Sequence, residues 1–246
     1  NQKFTYDGTR KKPEGTITIS NENVSTSDLD ILYTGKNYSS TNPPINVGIY
    51  TVTYSIKNSN SNYTGSVSYT FTIEKSKQEK PTLDKDTFVY NGYNQKVDLQ
   101  FDENIFKITG DSVATNVGNY SITWSLKDKD NYEWTDGTNL DITLNWSITK
   151  ATPKYTVPTG LNGVKGQKLS DISLPEGFTF NDPNSLLLPG VHNYKATYTP
   201  SDTNNYKIID DIDITITAKN TFLATGIVNG DGGTITVPSK SIIDGD

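Results

Sequence analysis

The feature that most constrains the fold of this chain is a block of sequence that occurs three times, at intervals of about 70 residues. Each copy contains a glycine and then a tyrosine, followed by a polar stretch, an Asn-Tyr pair, and a closing run that ends in lysine. A period of this length is too long for a solenoid and is typical of small sandwich domains in tandem. The three copies are Asn46–Ile56, Asn116–Leu126 and Leu188–Tyr198, and their Asn-Tyr pairs are Asn62-Tyr63, Asn131-Tyr132 and Asn205-Tyr206.

Apolar and polar residues alternate with a period of two inside each block. In the first copy Tyr50, Val52 and Tyr54 alternate with threonine and serine. Such alternation indicates antiparallel strands with one buried and one solvated face. Asn, Ser, Thr, Asp and Gly dominate the connecting stretches and favour turns rather than helices. The sequence therefore predicts an all-β fold in which Trp124 and Trp146 are core residues. The tyrosines expected to be buried at equivalent places are Tyr50, Tyr120 and Tyr194.

Composition excludes several classes of active site. The 246 residues include no Cys, no Met and one His, with 33% hydrophobic and 20% charged residues. Disulfide frameworks, thiolate zinc sites and cysteine nucleophiles are therefore excluded, as is any site that needs two imidazoles from one chain. A net charge of −6 and a pI near 4.9 argue against nucleic-acid binding. We expect no catalytic residues, cofactor or metal in this chain.

The repeats suggest domain boundaries. We expect one domain in each of residues 1–76, 77–150 and 151–219, the third being divergent. Residues 220–246 would begin a further β module or form a tail, with a hairpin over Gly232–Val237. Short linkers that contain Lys and Pro restrict hinge motion. This organisation predicts an elongated, monomeric rod.

Three motifs carry a resemblance to a known family. Tyr6-Asp7-Gly8 and Tyr90-Asn91-Gly92 open the first two units, and each unit continues with Asn-Val-Gly-x-Tyr and the downstream Asn-Tyr pair. This pattern resembles the bacterial immunoglobulin-like tandem repeats of YDG/MBG type in large cell-surface proteins. The third unit departs from it, with Pro189-Gly190 and no aromatic-Asp-Gly opening. The resemblance implies tandem immunoglobulin-like β-sandwich domains at the extracellular surface of a bacterium.

We expect the fragment to be a structural spacer, stalk or adhesin segment without catalysis. One alternative is a module that binds a host glycan or an extracellular protein through the repeat 2 loop around Trp134 and Asp136. Another is an accessory region of a secreted multidomain hydrolase. The sequence contains no apolar segment of the 18–20 residues or so that a membrane span requires.

Trp134 is the position at which the spacer and binding interpretations differ. It lies in the polar loop Asn131–Gly137, where no alternation places it in the core. A tryptophan beside Asp and Asn suits a carbohydrate or partner contact, whereas the structural alternative is that it covers a gap in the sandwich. We favour the structural alternative, because the first and third repeats have no Trp at this place.

Three other features receive structural interpretations. His192 is interpreted as a turn residue. Asp128, Asp130 and Asp136 lack the spacing of an EF-hand, which leaves a different calcium cage as an alternative.

An isopeptide bond between Lys96 and Asn145 would require both side chains inside the fold. Their alternation places both outside.

Overall fold

The computed structural model describes residues 1–20, 23–224 and 240–243. The described chain is built from strands, with single turns of 3-10 helix at Thr26–Asp28 and Leu169–Asp171, and the predicted all-β, sandwich-like class is confirmed. The strands are β1 (Gln2–Thr5), β2 (Leu29–Gly35), β3 (Tyr38–Ser40), β4 (Gly48–Ile56), β5 (Ser66–Glu74), β6 (Ser76–Gln78), β7 (Thr87–Val89), β8 (Gln95–Lys96), β9 (Phe106–Gly110), β10 (Val113–Ala114), β11 (Gly118–Leu126), β12 (Tyr132–Trp134), β13 (Ile142–Thr149), β14 (Leu161–Val164), β15 (Phe178–Phe180), β16 (Gly190–Tyr198), β17 (Ile209–Lys219), β18 (Thr221–Ala224) and β19 (Lys240–Ile243).

Three main sheets share one strand order. They run β1-β5-β4-β2-β3, β7-β13-β11-β9 and β14-β17-β16-β15. In each sheet the strand that comes first along the chain (β1, β7 or β14) pairs in parallel with the strand that comes last along the chain (β5, β13 or β17). The alternating strands that begin in the repeated blocks are β4, β11 and β16, so the three copies of sequence form equivalent central strands. Separate two-stranded sheets pair β8 with β10, β6 with β12, and β18 with β19.

The chain divides into two compact units. The first contains Asn1–Asp86, Val97–Ser112 and Tyr120–Trp146, and the second contains Thr87–Lys96, Val113–Asn119 and the chain from Ser147 onwards. The domain boundaries drawn from the repeats stay a prediction. The hairpin expected over Gly232–Val237 lies outside the described residues.

The predicted alternation is present in the central strands. In β4, Tyr50 and Val52 are buried while Ile49 is exposed, and Trp124 and Trp146 are both buried as expected. Tyr120 and Tyr194 are only partly buried.

Apolar side chains cluster in each compact unit. In the first unit the buried cluster is Tyr33, Tyr50, Val52, Phe71 and Ile73. In the second unit it is Leu169, Phe178, Phe180, Leu187, Ala196, Ile212, Ile214, Ile216 and Ala218.

One half of β5 departs from the expected burial. Val67 and Tyr69 alternate with serine and threonine in the closing run of the first repeat, a pattern that predicts burial of both, yet they are 57% and 40% exposed. The extended segment Pro13–Thr18 lies beside this half of the sheet and leaves a cavity of about 420 Å³. Alternation therefore identifies the face of the strand correctly, but the cover over that face is incomplete.

Among the described residues, no helix is long and apolar enough to cross a membrane.

Candidate functional site: two matching joints

Asn131 is a buried polar residue immediately before β12 in the second repeat, only 5% exposed. The turn that carries it is organised by Asp128, whose Oδ1 accepts the backbone N–H groups of Asp130 and Asn131 at 3.1 Å each. Asp128 Oδ2 accepts the Asn131 side-chain amide at 2.7 Å. Aspartate commonly stabilises turns in this way. We call the five residues Asp128–Tyr132 a docking turn.

The docking turn binds residues of the first repeat. Asn131 Oδ1 accepts the Val47 backbone N–H at 2.8 Å, and Asn131 Nδ2 lies 3.3 Å from Asn46 Oδ1. The Asn131 carbonyl accepts the backbone N–H of Ser76 in the linker, at 3.0 Å. Through its side chain and its backbone carbonyl, Asn131 thus connects the first repeat, the linker and the second repeat. Each of its hydrogen-bonding atoms has a partner, as burial requires.

A pair of tyrosines lies beside this amide. The rings of Tyr6 and Tyr132 meet edge to face, with centroids 5.3 Å apart, an arrangement that aromatic rings favour. Burial raises the pKa of the Tyr132 hydroxyl, with further contributions from Tyr6 and Asp128.

Asp7, next to Tyr6 in the sequence, accepts the Thr9 backbone N–H at 2.9 Å. Hydrogen bonds from Lys11 and Thr9 lower the pKa of the Asp7 carboxyl to about 2. We call Asn46-Val47 together with Tyr6 a receiving corner.

The second compact unit contains the same arrangement at the next linker. Asn205 is 7% exposed, and its Oδ1 accepts the Val117 backbone N–H at 2.8 Å. Its Nδ2 donates to Asp202 Oδ2 at 2.9 Å and lies 3.4 Å from Asn116 Oδ1. Its carbonyl accepts the Ala151 backbone N–H at 3.0 Å. Every contact of Asn131 therefore has a counterpart.

The counterpart extends to the aromatic pair and the linker lysine. Tyr90 and Tyr206 meet edge to face at 5.3 Å, so the second docking turn is Asp202–Tyr206 and its receiving corner is Asn116-Val117 with Tyr90. In each joint a linker lysine, Lys75 or Lys150, donates to a backbone carbonyl of the docking turn at 2.7 Å.

The joints are suited to holding consecutive segments in one orientation. Hydrogen bonds within proteins each contribute about 0.5–1.5 kcal/mol net, whereas a buried donor left unpaired costs about 1–3 kcal/mol. A shift at either joint would leave the buried amide and a backbone N–H without partners. Asn131 and Asn205 are the buried polar side chains among the residues whose burial the structure describes.

Trp134 ends strand β12, which pairs in parallel with β6, so the loop expected over Asn131–Gly137 is wrong for Tyr132–Trp134. The Trp134 side chain lies in the interior, with 0% of its surface exposed. Its indole stacks on Phe106, with ring centroids 5.8 Å apart and planes 7° from parallel. Its Nε1 donates to the Leu140 carbonyl at 2.7 Å. This geometry agrees with the interpretation that Trp134 covers a gap in the sandwich, and the exposed indole that the binding interpretation assumed is not present.

Asp136 is half exposed and pairs with Lys80. The Lys80 Nζ lies 2.5 Å from Asp136 Oδ2, and Thr138 donates its hydroxyl and backbone N–H to Oδ1 at 2.7 and 3.0 Å. These hydrogen bonds hold the pKa of the Asp136 carboxyl well below its usual value, and the bond from Lys80 has the largest effect. Asp136 thus orders its own turn and binds the segment that follows β6.

The remaining candidates occupy ordinary structural positions. His192 has a ring nitrogen 3.0 Å from the Pro189 carbonyl. Lys96 and Asn145 are each exposed, as their alternation predicts. Within the described ranges, no group of three or more His, Asp or Glu side chains could hold a metal ion.

Sequence reasoning identified the motifs of the joints without their roles. Tyr6-Asp7-Gly8, Asn46-Val47-Gly48 and Asn131-Tyr132 all served as markers of repetition. The available signal was that these polar motifs recur in connecting stretches, where strand formation does not require them. Alternation cannot show that an Asn-Tyr pair contacts the repeat before its own.

Comparison with known proteins finds a family match for the first part of the chain. Residues 1–77 match the MBG domain, a repeat found in bacterial surface proteins, which confirms the resemblance noted from the sequence. A search of curated proteins finds no match. One solved structure with similarity is that of SGBP-B from the Bacteroides ovatus mixed-linkage glucan utilization locus, in complex with a mixed-linkage heptasaccharide. The identity is 13%, and the match covers 82% of this chain but only 65% of that structure's chain. The TM-score of this match is 0.17.

Proposed function

We propose that this chain is a non-catalytic spacer of a bacterial surface protein, in which each docking turn fixes one repeat to the repeat before it. The observation that carries the proposal is that one buried asparagine arrangement occurs at both linkers. The MBG match of residues 1–77 supports a place at the cell surface, because such repeats occur in surface proteins. A stalk or adhesin segment requires joints that resist bending.

Distance measurements between two spin labels test this proposal. The chain has no cysteine, so Lys36→Cys and Glu176→Cys place one label in the first repeat and one in the third, both at exposed positions. We expect a narrow distance distribution that broadens when Asn131→Ala and Asn205→Ala are introduced together. The matched control is Asn62→Ala, which changes the exposed asparagine at the corresponding place of the first repeat. A distribution that the double substitution leaves unchanged contradicts the proposal.

A second candidate function is ligand binding beside β5. The cavity of about 420 Å³ there is lined by Tyr54, Tyr69 and Val67 together with Thr16 and Thr18. Aromatic faces beside hydroxyl groups suit a sugar chain. A glycan screen of the wild-type chain and two variants tests this candidate. We expect Tyr69→Ala to abolish the binding signal and Trp134→Phe to preserve it. The reverse result favours the repeat 2 loop that the sequence suggested. An accessory role beside a catalytic domain would use the same joints.

A further inference from the structure

Each repeat offers two places for a joint: a receiving corner for the repeat that follows, and a docking turn for the repeat that precedes. The structure shows two corners and two turns in use. The first repeat's own turn and the third repeat's own corner have no counterpart in the described residues. Their sequences show whether the turn has the required carboxylate and whether the corner has the required backbone N–H.

The turn of the first repeat lacks the carboxylate. Ser59 stands where Asp128 and Asp202 stand in the docking turns. Here Asn60 Oδ1 accepts the backbone N–H groups of Asn62 and Tyr63 at 3.0 Å each, and Asn62 is exposed. In the docking turns one carboxylate oxygen orients the asparagine amide while the other accepts the turn's backbone N–H. The single hydroxyl oxygen of a serine does not replace both.

The corner of the third repeat lacks the donor. Pro189 stands where Val47 and Val117 stand, and proline has no backbone N–H. The neighbouring backbone N–H of Leu188 is already given to the Tyr194 hydroxyl at 3.0 Å. An incoming asparagine Oδ1 would therefore meet no donor at this position.

We propose that a receiving corner recognises an Asp-x-x-Asn-Tyr turn specifically, and that the turn of the first repeat and the corner of the third take no part in this recognition. The first repeat has only a corner, the second has both parts, and the third has only a turn. Two copies of the chain have no free corner and turn with which to join head to tail, which would otherwise build an open chain of copies.

This inference rests on the proposed function and is tested in the full chain by exchanging turn sequences. Lys129→Thr with Asp130→Asn gives the second repeat the turn of the third, Asp-Thr-Asn-Asn-Tyr. Asp128→Ser with Lys129→Asn and Asp130→Ser gives it the turn of the first, Ser-Asn-Ser-Asn-Tyr. Both variants keep Asn131 and Tyr132. We expect the Val47 amide to keep its slow hydrogen exchange in the former and to exchange about tenfold faster or more in the latter.

The corner is tested in the same way. Val117→Pro reproduces the third repeat's corner at the second joint, and Val117→Ala is the matched control because it keeps the N–H. We expect the Ala151 amide, which donates to the Asn205 carbonyl, to lose protection only in Val117→Pro. Near-ultraviolet circular dichroism, through Trp124 and Trp146, checks that each variant remains folded.

The inference fails if the serine-containing turn still protects Val47 or if Val117→Pro still protects Ala151. The proposed function fails separately, if Asn131→Ala itself leaves Val47 protected.

Discussion

Asn131 illustrates how a single side chain can connect three parts of a chain. Its amide is buried among the Val47 N–H, the Asp128 carboxylate and the Asn46 side chain. We expect Asn131→Ala to lower the free energy of unfolding by about 1–3 kcal/mol, because truncation leaves a buried N–H unpaired. Urea denaturation measures this. Asn62→Ala, at an exposed site, should change stability by less than about 0.5 kcal/mol. Equal losses in the two variants would contradict the role given to burial.

Trp134 has a larger structural role than the polar residues around it in the sequence suggest. It stacks on Phe106 and bonds to the Leu140 carbonyl from a fully buried site. We expect Trp134→Ala to cost about 3–5 kcal/mol, the range for large aromatic truncations in a core. Trp134→Phe keeps the ring packing and should cost less. Thermal unfolding measures both, and Tyr93→Ala, at a residue exposed to solvent, is the control. A melting temperature unchanged by Trp134→Ala would contradict this packing.

The stability that the Asp136–Lys80 ion pair contributes should depend on pH. Because bonds from Lys80 and Thr138 lower the pKa of the folded state, the carboxylate's contribution to stability is present above its ordinary pKa of 3.8. That contribution is lost as pH falls through the lowered value. We expect the Asp136 carboxyl carbon, followed by NMR, to titrate below the ordinary value and to shift back toward it in Lys80→Met. A titration midpoint that Lys80→Met leaves in place would rule out this cause.

At the scale of elements, the register of β4 makes a clear prediction. Val52 is buried on the core face, whereas Thr53 lies on the opposite face with its hydroxyl 2.9 Å from Ser68. We expect Val52→Thr to destabilise by about 1–3 kcal/mol, because it places a hydroxyl in an apolar site. Thr53→Val on the solvated face should have a much smaller effect. Chemical denaturation of both variants tests the register, and the opposite ranking would mean that the strand faces the other way.

Much of the element pattern could be predicted from sequence, because alternation reports directly on which face of a strand is buried. It identified β4, β11 and the core positions of Trp124 and Trp146. It could not show that Val67 lacks a full cover, since that depends on a segment far away in sequence. It also missed the irregularity in β17, where Asp211 adopts a left-handed backbone with φ of 59° and the pairing register shifts between Ala196 and Tyr198.

At the scale of the whole molecule, sequence repetition showed that units recur but not how they are joined. The joints depend on contacts between residues more than 80 positions apart, such as Val47 with Asn131. Such pairing follows from which loops the fold brings together, and the motifs alone do not state it. The lack of an N–H at Pro189 became meaningful only after Val47 and Val117 were seen to donate. The elongated arrangement expected from the linkers stays a prediction.

The central claim, that one buried asparagine closes each joint, is tested most directly by amide hydrogen exchange in the full chain. Val47 reports on Asn131, and Val117 reports on Asn205. We expect Asn131→Ala to accelerate exchange at Val47 while Val117 stays protected, and Asn205→Ala to do the reverse. Protection that survives at both amides in the respective variants would contradict the claim.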